Sequence, residues 1–403
     1  MAESSLSQLF SHRQFVRFWL ARLGGVMANQ MLMVAVAWHM YDITNSAWDL
    51  GLVGLFQFVP ALFMALPGGH VADRFHRGRI FAGCMLAQAL VAMLLVAATH
   101  SGLTTRELIL GLSVVLGVAR AFQMPAQQAL LPTLVPQALL QRAITVNSSG
   151  MQAAIISGPA LGGVLYTIGA TTVYASCAIL LLLSCALTLA VRYTHRPSNI
   201  AATWSTVSAG LHFVWSRKVL LGAISLDLFA VLLGGATALL PIYARDILHT
   251  GPEGLGLLRA APAVGALTMS LILMRWPLRR WVGRRILVAV AVFGLAMVVF
   301  GLSTTMWLSL LALMVTGAAD NVSVVTRLTL VQTETPDEMR GRVAAVNSIF
   351  IGASNQLGEF ESGATAALFG PVGSVVFGGV GTVLVAVAWL RLFPTLARRD
   401  RIG

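Results

Sequence analysis

Four acidic residues stand inside long apolar stretches, where acids are costly: Asp227, Asp320, Glu359 and Glu361. A charged side chain in the middle of a bilayer costs at least about 2.5–3.5 kcal/mol, so an acid there faces protein or water. A carboxyl taken out of water holds its proton more tightly. Such an acid either packs helices as a neutral group or exchanges protons. Asp227, Asp320 and Glu359 are the proton-coupling candidates, while Glu361 lies nearer the end of its stretch. Other polar residues recur at helical spacing. Arg22 and Asn29 are seven apart, and Asn355 and Glu359 stand at i, i+4. Arg120, Gln123 and Gln127 fall at i, i+3, i+7, as do Asp320, Ser323 and Arg327. Each set shares one face of a helix. The sequence has no Gly-x-x-x-x-Gly-Lys nucleotide loop, no His/Cys metal cluster and no Gly-x-Ser-x-Gly elbow. An ATP-driven pump and a metal-dependent enzyme therefore lack support, and no cofactor, metal or catalytic residue is expected.

The elements that position these residues follow from composition. Of 403 residues, 57% are hydrophobic and only 10% charged, with mean hydropathy +0.81. So few charges cannot coat a soluble particle of this size, for which about 25% is usual. Apolar stretches of bilayer-spanning length fall at about 16–41, 50–72, 79–99, 107–131, 143–168 and 171–192. A second series falls at about 219–246, 254–275, 283–302, 306–331, 343–369 and 371–392. The fold class is an all-α polytopic membrane protein, which excludes a soluble enzyme, a disordered chain and a nucleic-acid-binding domain. The net charge of +12 has another origin. About 22 of the 27 basic residues fall at the termini and in alternate loops, with only Arg106, Arg245 and Arg259 near the opposite side. By the positive-inside rule both termini are cytoplasmic, and the chain inserts many times in the cell's inner (cytoplasmic) membrane. The polar N-terminus lacks a cleavable signal pattern, so the first span is expected to insert uncleaved. Cys84, Cys177 and Cys185, odd in number and set in apolar runs, argue against disulfides.

The two series repeat each other. Pro136, Arg142, Val146, Asn147 and Ser148 recur about 200 residues later as Pro336, Arg342, Val346, Asn347 and Ser348. Earlier spans align at a separation nearer 205, as Leu50-Gly51-Leu52 does with Leu255-Gly256-Leu257. A duplicated six-helix unit is the economical explanation. The expected domains are 1–193, a six-helix bundle; 194–218, a cytoplasmic linker with a short amphipathic helix; and 219–403, a second six-helix bundle. In the linker Val207, Leu211, Val214 and Trp215 share a helical face.

Three motifs carry a family resemblance. Gly69-His-Val-Ala-Asp73-Arg74-Phe75-His76-Arg77-Gly78-Arg79 resembles the loop signature G-x-x-x-D-R-x-G-R-R/K of the major facilitator superfamily, with His76 in place of Gly. Gly158-Pro159-Ala-Leu-Gly162-Gly163 resembles the G-P-x-x-G-G motif of its drug and metabolite antiporters. Arg120-Ala-Phe-Gln123-Met124 resembles its R-x-x-Q-G signature, with Met124 in place of Gly. The chain thus resembles a major facilitator superfamily transporter, in a subgroup with the enterobactin exporter and drug:proton antiporters. The resemblance implies twelve helices in two six-helix pseudo-repeats and places Gly69, Asp73, Arg74, Arg77, Arg79, Gly158, Pro159, Gly162 and Gly163 in gating. It implies that spans 1, 4, 7 and 10 line a central cavity. Arg22, Asn29, Arg120, Gln123, Gln127, Asp227, Asp320, Arg327 and Asn355 are then the substrate-cavity candidates, with Arg120 and Asp320 as pseudo-symmetry mates of opposite sign.

The function expected is secondary active transport by alternating access: proton-coupled export of an amphipathic small molecule, either a drug or a siderophore-like metabolite. The expected partners are that substrate, protons and the lipid bilayer; the chain is expected to be a monomer without nucleic acid. An importer, facilitator or lipid flippase of the same fold is the alternative. A non-transporting membrane receptor is more distant, because the linker has no room for a signalling domain.

Overall fold

The computed structural model describes residues 2–193, 204–276 and 281–400, except the side chains of 2–6, 65, 66, 73, 129, 204–207, 337 and 345. The described residues are helical, without a strand. A short α1 (Ala2–Ser11) precedes α2 (Arg13–Thr44), α3 (Ala47–Arg74), α4 (Arg77–His100), α5 (Arg106–Leu130), α6 (Gln137–Ile168) and α7 (Ala170–Leu189). Then come α8 (Trp204–Ser216), α9 (Lys218–Leu233), α10 (Leu240–Ile242), α11 (Pro252–Arg275), α12 (Val282–Leu302), α13 (Met306–Glu334), α14 (Asp337–Leu392) and α15 (Pro394–Ala397). Eleven helical stretches among the described residues are long and apolar enough to cross a bilayer. One of them, α14, runs 56 residues and breaks at Gly370, whose φ of 76° and ψ of 162° lie outside the helical region. Glycine alone tolerates that conformation easily, and Pro371 follows it. Counting α14 as two spans gives twelve.

The seventh span is also broken, although its apolar run reads as continuous. α9 stops at Leu233; a 3₁₀ turn (Ala236–Leu239), α10 and a π turn (Tyr243–Ile247) complete the crossing. Pro241 withholds a hydrogen bond. Gly235 is needed for space: a Cβ there would come within 2.8 Å of the Gly358 backbone. Discontinuous spans of this kind commonly bound transporter sites.

Contacts divide the chain into two compact units: Met1–Ile43 with Val59–Ala202, and Thr44–Phe58 with Thr203–Gly403. The start of α3 thus groups with the second series of spans. The reason is steric: a Cβ on Gly363 of α14 would lie 2.6 Å from the Gly51 Cα, and one on Gly54 would lie 2.9 Å from a Glu359 carboxylate oxygen. Trp48 packs edge-on against Phe360 at 5.4 Å between centroids.

Of the expected linker, 194–203 lies outside the described residues and Trp204–Ser216 is α8. α8 docks through Gly210, where a Cβ would lie 2.7 Å from the Arg342 carbonyl oxygen, and through buried Val214 beside Leu220 and Val343. Trp215 remains exposed, so the face read from sequence is only partly covered.

Candidate functional site

In the second unit three helices meet at one arginine. α13 carries Asp320, Ser323 and Arg327, α9 carries Asp227, and α14 carries Asn347. Arg327 Nη2 lies 3.0 Å from Asp227 Oδ2, and Arg327 Nη1 donates to Asn347 Oδ1 at 2.7 Å. Arg327 is 1% exposed and Asp227 5%. Ions this deep must be paired, and removing one partner of such a pair costs about 3–5 kcal/mol. Leu226 and Ala230, the neighbours of Asp227 on α9, pack against Ile286 and Val290 of α12, which fixes the side of α9 that Asp227 occupies.

Asp320 is two turns before Arg327 on α13 and is only partly buried. It makes no hydrogen bond or ion pair with any described residue. With Asp227, Ala230, Val231, Val290, Phe293, Ala319 and Ser323 it lines a cavity of about 10 Å³. That is on the scale of one water molecule. The Ser323 hydroxyl is buried without a partner. The arrangement is an Asp227–Arg327 pair with a second carboxyl, Asp320, lining the cavity beside it.

The equivalent place in the first unit is built from amides. Asn29 Nδ2 of α2 donates to Gln88 Oε1 of α4 at 2.9 Å, and Gln88 Nε2 donates to Gln123 Oε1 of α5 at 2.6 Å. Gln88 is 1% exposed. At the separations read from the repeat, Asn29 and Gln88 correspond to Gly234 and Phe293, and Gln123 to Ser323. Gly234 and Phe293 also touch, so the duplicated register holds in three dimensions. One turn beyond Gln123, Gln127 donates to the Met124 sulfur at 3.3 Å while its Oε1 is buried and unpartnered. Arg22 is 9% exposed and bonds to no described residue; its Nε is buried. Asn147, the mate of Asn347, has a buried Oδ1 without a partner.

The remaining candidates spread apart. Arg120 is exposed and bonds to no described residue. Asn355 is exposed and spends its amide on the Ile351 carbonyl at 2.9 Å rather than on Glu359, which packs against Gly54 instead. Beside the loop motif, Gly68 makes a close approach: a Cβ there would lie 2.7 Å from the Ala121 carbonyl oxygen of α5. The Asp73 side chain lies outside the described residues, and Arg74 and Arg79 are exposed. Arg77 Nε donates to the Ala72 carbonyl at 3.3 Å. His76, in the family's Gly position, packs on the Tyr193 ring at 4.6 Å, and the Gly78 N–H donates to the Tyr193 hydroxyl at 3.1 Å. Burial raises the Tyr193 phenol above its ordinary value, and the Gly78 bond partly offsets this. In α6, beside Pro159 and Gly163, Gly158 and Gly162 admit α2. A Cβ on Gly158 would lie 2.7 Å from Gln30 Cβ, and one on Gly162 would lie 2.9 Å from Met31 Cα.

Gln88 and Asn347 were not singled out as site residues by sequence reasoning. Gln88 is the one amide in its apolar span, and Asn347 keeps register with Asn147; both signals were present.

Comparison with known proteins identifies a family and several relatives. A family model described as "Transmembrane secretion effector" matches residues 4–401. The enterobactin exporter EntS of Citrobacter koseri is 27% identical over 98% of this chain and 95% of its own length. The multidrug efflux pump Tap of Mycobacterium tuberculosis is 29% identical over 82% of this chain and 81% of its own. Among solved structures, a bacterial homologue of the human lysosomal transporter Spinster superposes with a TM-score of 0.76 at 14% identity, covering 97% of this chain and 99% of that one.

Proposed function

The chain belongs to the transmembrane secretion effectors of the major facilitator superfamily, a family of multi-pass membrane transporters rather than enzymes, and from that premise we propose proton-coupled export. The substrate class is an amphipathic small molecule, either a drug or a siderophore-like metabolite, moved by alternating access. Relatives named as an enterobactin exporter and a multidrug efflux pump support the direction. The positive-inside pattern supports cytoplasmic termini and an inner-membrane location, with the monomer as the working unit.

The observation that carries proton coupling is the Asp320 carboxyl, unpartnered among the described residues and lining the cavity it shares with Asp227. Asp227 is held by Arg327, which leaves Asp320 as the carboxyl able to change charge. With Asp320 ionised, two carboxylates share one guanidinium and the cluster carries a net negative charge. Protonation removes that charge and leaves the Asp227–Arg327 pair neutral. A substrate that favours one of these states over the other is coupled to the proton through this difference. At about 100 mV one proton crossing the membrane carries roughly 2.3 kcal/mol. That sustains a gradient of roughly fifty-fold, so one carboxyl is enough for useful export.

The test is proteoliposome transport of a dye panel with and without an imposed pH gradient. Asp320→Asn is expected to keep exchange of substrate down its own gradient and to lose acceleration by the proton gradient. Proton-driven accumulation at the wild-type rate in Asp320→Asn would remove it as the carrier.

A further inference from the structure

The duplicated register sets three residues of the first unit against the charged cluster of the second: Arg22 against Asp227, Gln127 against Arg327, and Asn147 against Asn347. In the second unit all three side chains are joined. In the first, the Arg22 Nε, Gln127 Oε1 and Asn147 Oδ1 atoms are each buried without a partner. Arg22 is more than nine-tenths buried, and Gln127 and Asn147 are each 5% exposed. Their helices are held together at this level. Trp19, one turn before Arg22, touches Gly150, one turn after Asn147: a Cβ on Gly150 would lie 2.8 Å from Trp19 Nε1. The amide chain from Asn29 to Gln123 ties α2 to α5 one turn from Gln127. A buried cation and two buried acceptors, on three helices and in the register of a cluster that is joined in the second unit, are expensive to maintain as packing alone when they meet no described residue, because each unmet group forfeits its hydration.

We propose that these residues form a subsite for the acidic end of the substrate, an organic acid with a hydroxyl or N–H beside its carboxylate. This deepens the export reading and rests on it. The Arg22 guanidinium presents a planar fork that matches a carboxylate, and the Gln127 and Asn147 oxygens accept from the neighbouring donor. The apolar remainder of the molecule then occupies the less polar parts of the path. The sign matters: the first unit meets the substrate's negative charge, and the second handles the proton.

The test uses the full chain in phosphatidylcholine nanodiscs, with no pH gradient, and salicylate as the probe. Salicylate carries one carboxylate beside one hydroxyl; salicyl alcohol keeps the hydroxyl without the charge, and ethidium supplies a cation. Equilibrium binding and the ligand-dependent shift in melting temperature are read for the wild type, Arg22→Lys, Arg22→Gln and the Gln127→Ala/Asn147→Ala double variant. A charge-assisted hydrogen bond of this kind is worth about 10- to 100-fold in affinity. Arg22→Gln is therefore expected to weaken salicylate at least about tenfold while leaving ethidium unchanged. Arg22→Lys should retain most of the affinity, and the double variant should fall between. Without ligand, Arg22→Gln should melt at or above the wild-type temperature, because an unpaired charge has been removed. Unaltered salicylate binding in Arg22→Gln would overturn the subsite. So would a lower unliganded melting temperature with loss of both probes, which marks a structural arginine. Displacement of salicylate by phosphatidylglycerol in the disc would make this a lipid-headgroup site and overturn the substrate assignment. Because binding is read without a gradient, failure of proton coupling leaves this result standing, and failure of the subsite leaves the Asp320 test standing.

Discussion

The two units use one duplicated scaffold to opposite electrostatic ends. In the second, Arg327 engages Asp227 through Nη2 and Asn347 through Nη1, its Nε meeting no described residue, and a small cavity beside it is lined by Asp320. In the first, the cavity's place is filled by the Asn29–Gln88–Gln123 chain, and the three mates of the charged cluster stand apart. The difference follows from a few substitutions. Asp227 and Arg327 make an ion pair, whereas Arg22 and Gln127 at the duplicate positions have no described partner for the Arg22 charge. A shared fold therefore does not imply shared chemistry at equivalent positions.

The largest expected effect comes from breaking the closed cluster. Arg327→Gln leaves Asp227 buried without its cation, and about 3–5 kcal/mol of stability should be lost. Asp227→Asn together with Arg327→Gln removes both charges and should recover most of it. A double-mutant cycle on melting temperature in detergent gives the coupling directly. Additive losses would show that the pair does not hold α9 to α13. The contrast with the first unit sharpens the test, since Arg22→Gln, at the place duplicate to Asp227, is expected to be neutral or stabilising.

How much of this was legible beforehand varies with the kind of contact involved. The spans and the duplication were readable, because bilayer thickness and helical rise fix the length of an apolar run. Repeated Pro, Arg, Asn and Ser in one register are also hard to produce by chance. The break at Gly370 was readable as the boundary between the apolar runs 343–369 and 371–392, whereas the one at Gly234-Gly235 was not, since glycines are common in membrane helices and only tertiary packing selects which ones break. Helix faces correctly grouped Asp320, Ser323 and Arg327, yet periodicity is silent about the neighbouring helix, so Arg327 as the partner of Asp227 was missed. The Gly158 and Gly162 contacts were anticipated because a Gly-x-x-x-Gly spacing presents both glycines on one face.

A smaller effect is expected from the amide chain. Gln88→Leu keeps the side-chain volume roughly constant but leaves the Asn29 amide and the Gln123 carbonyl unmatched. Each unmet buried group costs about 1–3 kcal/mol, so a loss of about 2–4 kcal/mol is expected. Thermal unfolding of the purified variant checks it. Adding Asn29→Leu and Gln123→Leu should return much of that stability, because an apolar core is better than a half-satisfied network. If Gln88→Leu alone melts like the wild type, the chain is not what fills the first unit's equivalent of the cavity.

The finest comparison uses one residue type in one register. Asn347 accepts a hydrogen bond from a buried guanidinium, whereas Asn147 has an Oδ1 that meets nothing among the described residues. Asn347→Ala should therefore cost about 1.5–3 kcal/mol, the usual range for a hydrogen bond to a charged group. Asn147→Ala discards an unmet buried acceptor and should change stability by about 0.5 kcal/mol or less in the unliganded protein. The two substitutions remove the same atoms from helices related by the duplication, so differences in propensity and volume cancel. Melting temperatures of the two variants, read side by side, measure what the Arg327–Asn347 hydrogen bond of the second unit adds. With a bound acid the order should narrow, because Asn147 then has a partner to lose. Equal costs without ligand would mean that Asn147 is already bonded, and the asymmetry between the units would shrink to the exchanges of Arg22 for Asp227 and Gln127 for Arg327.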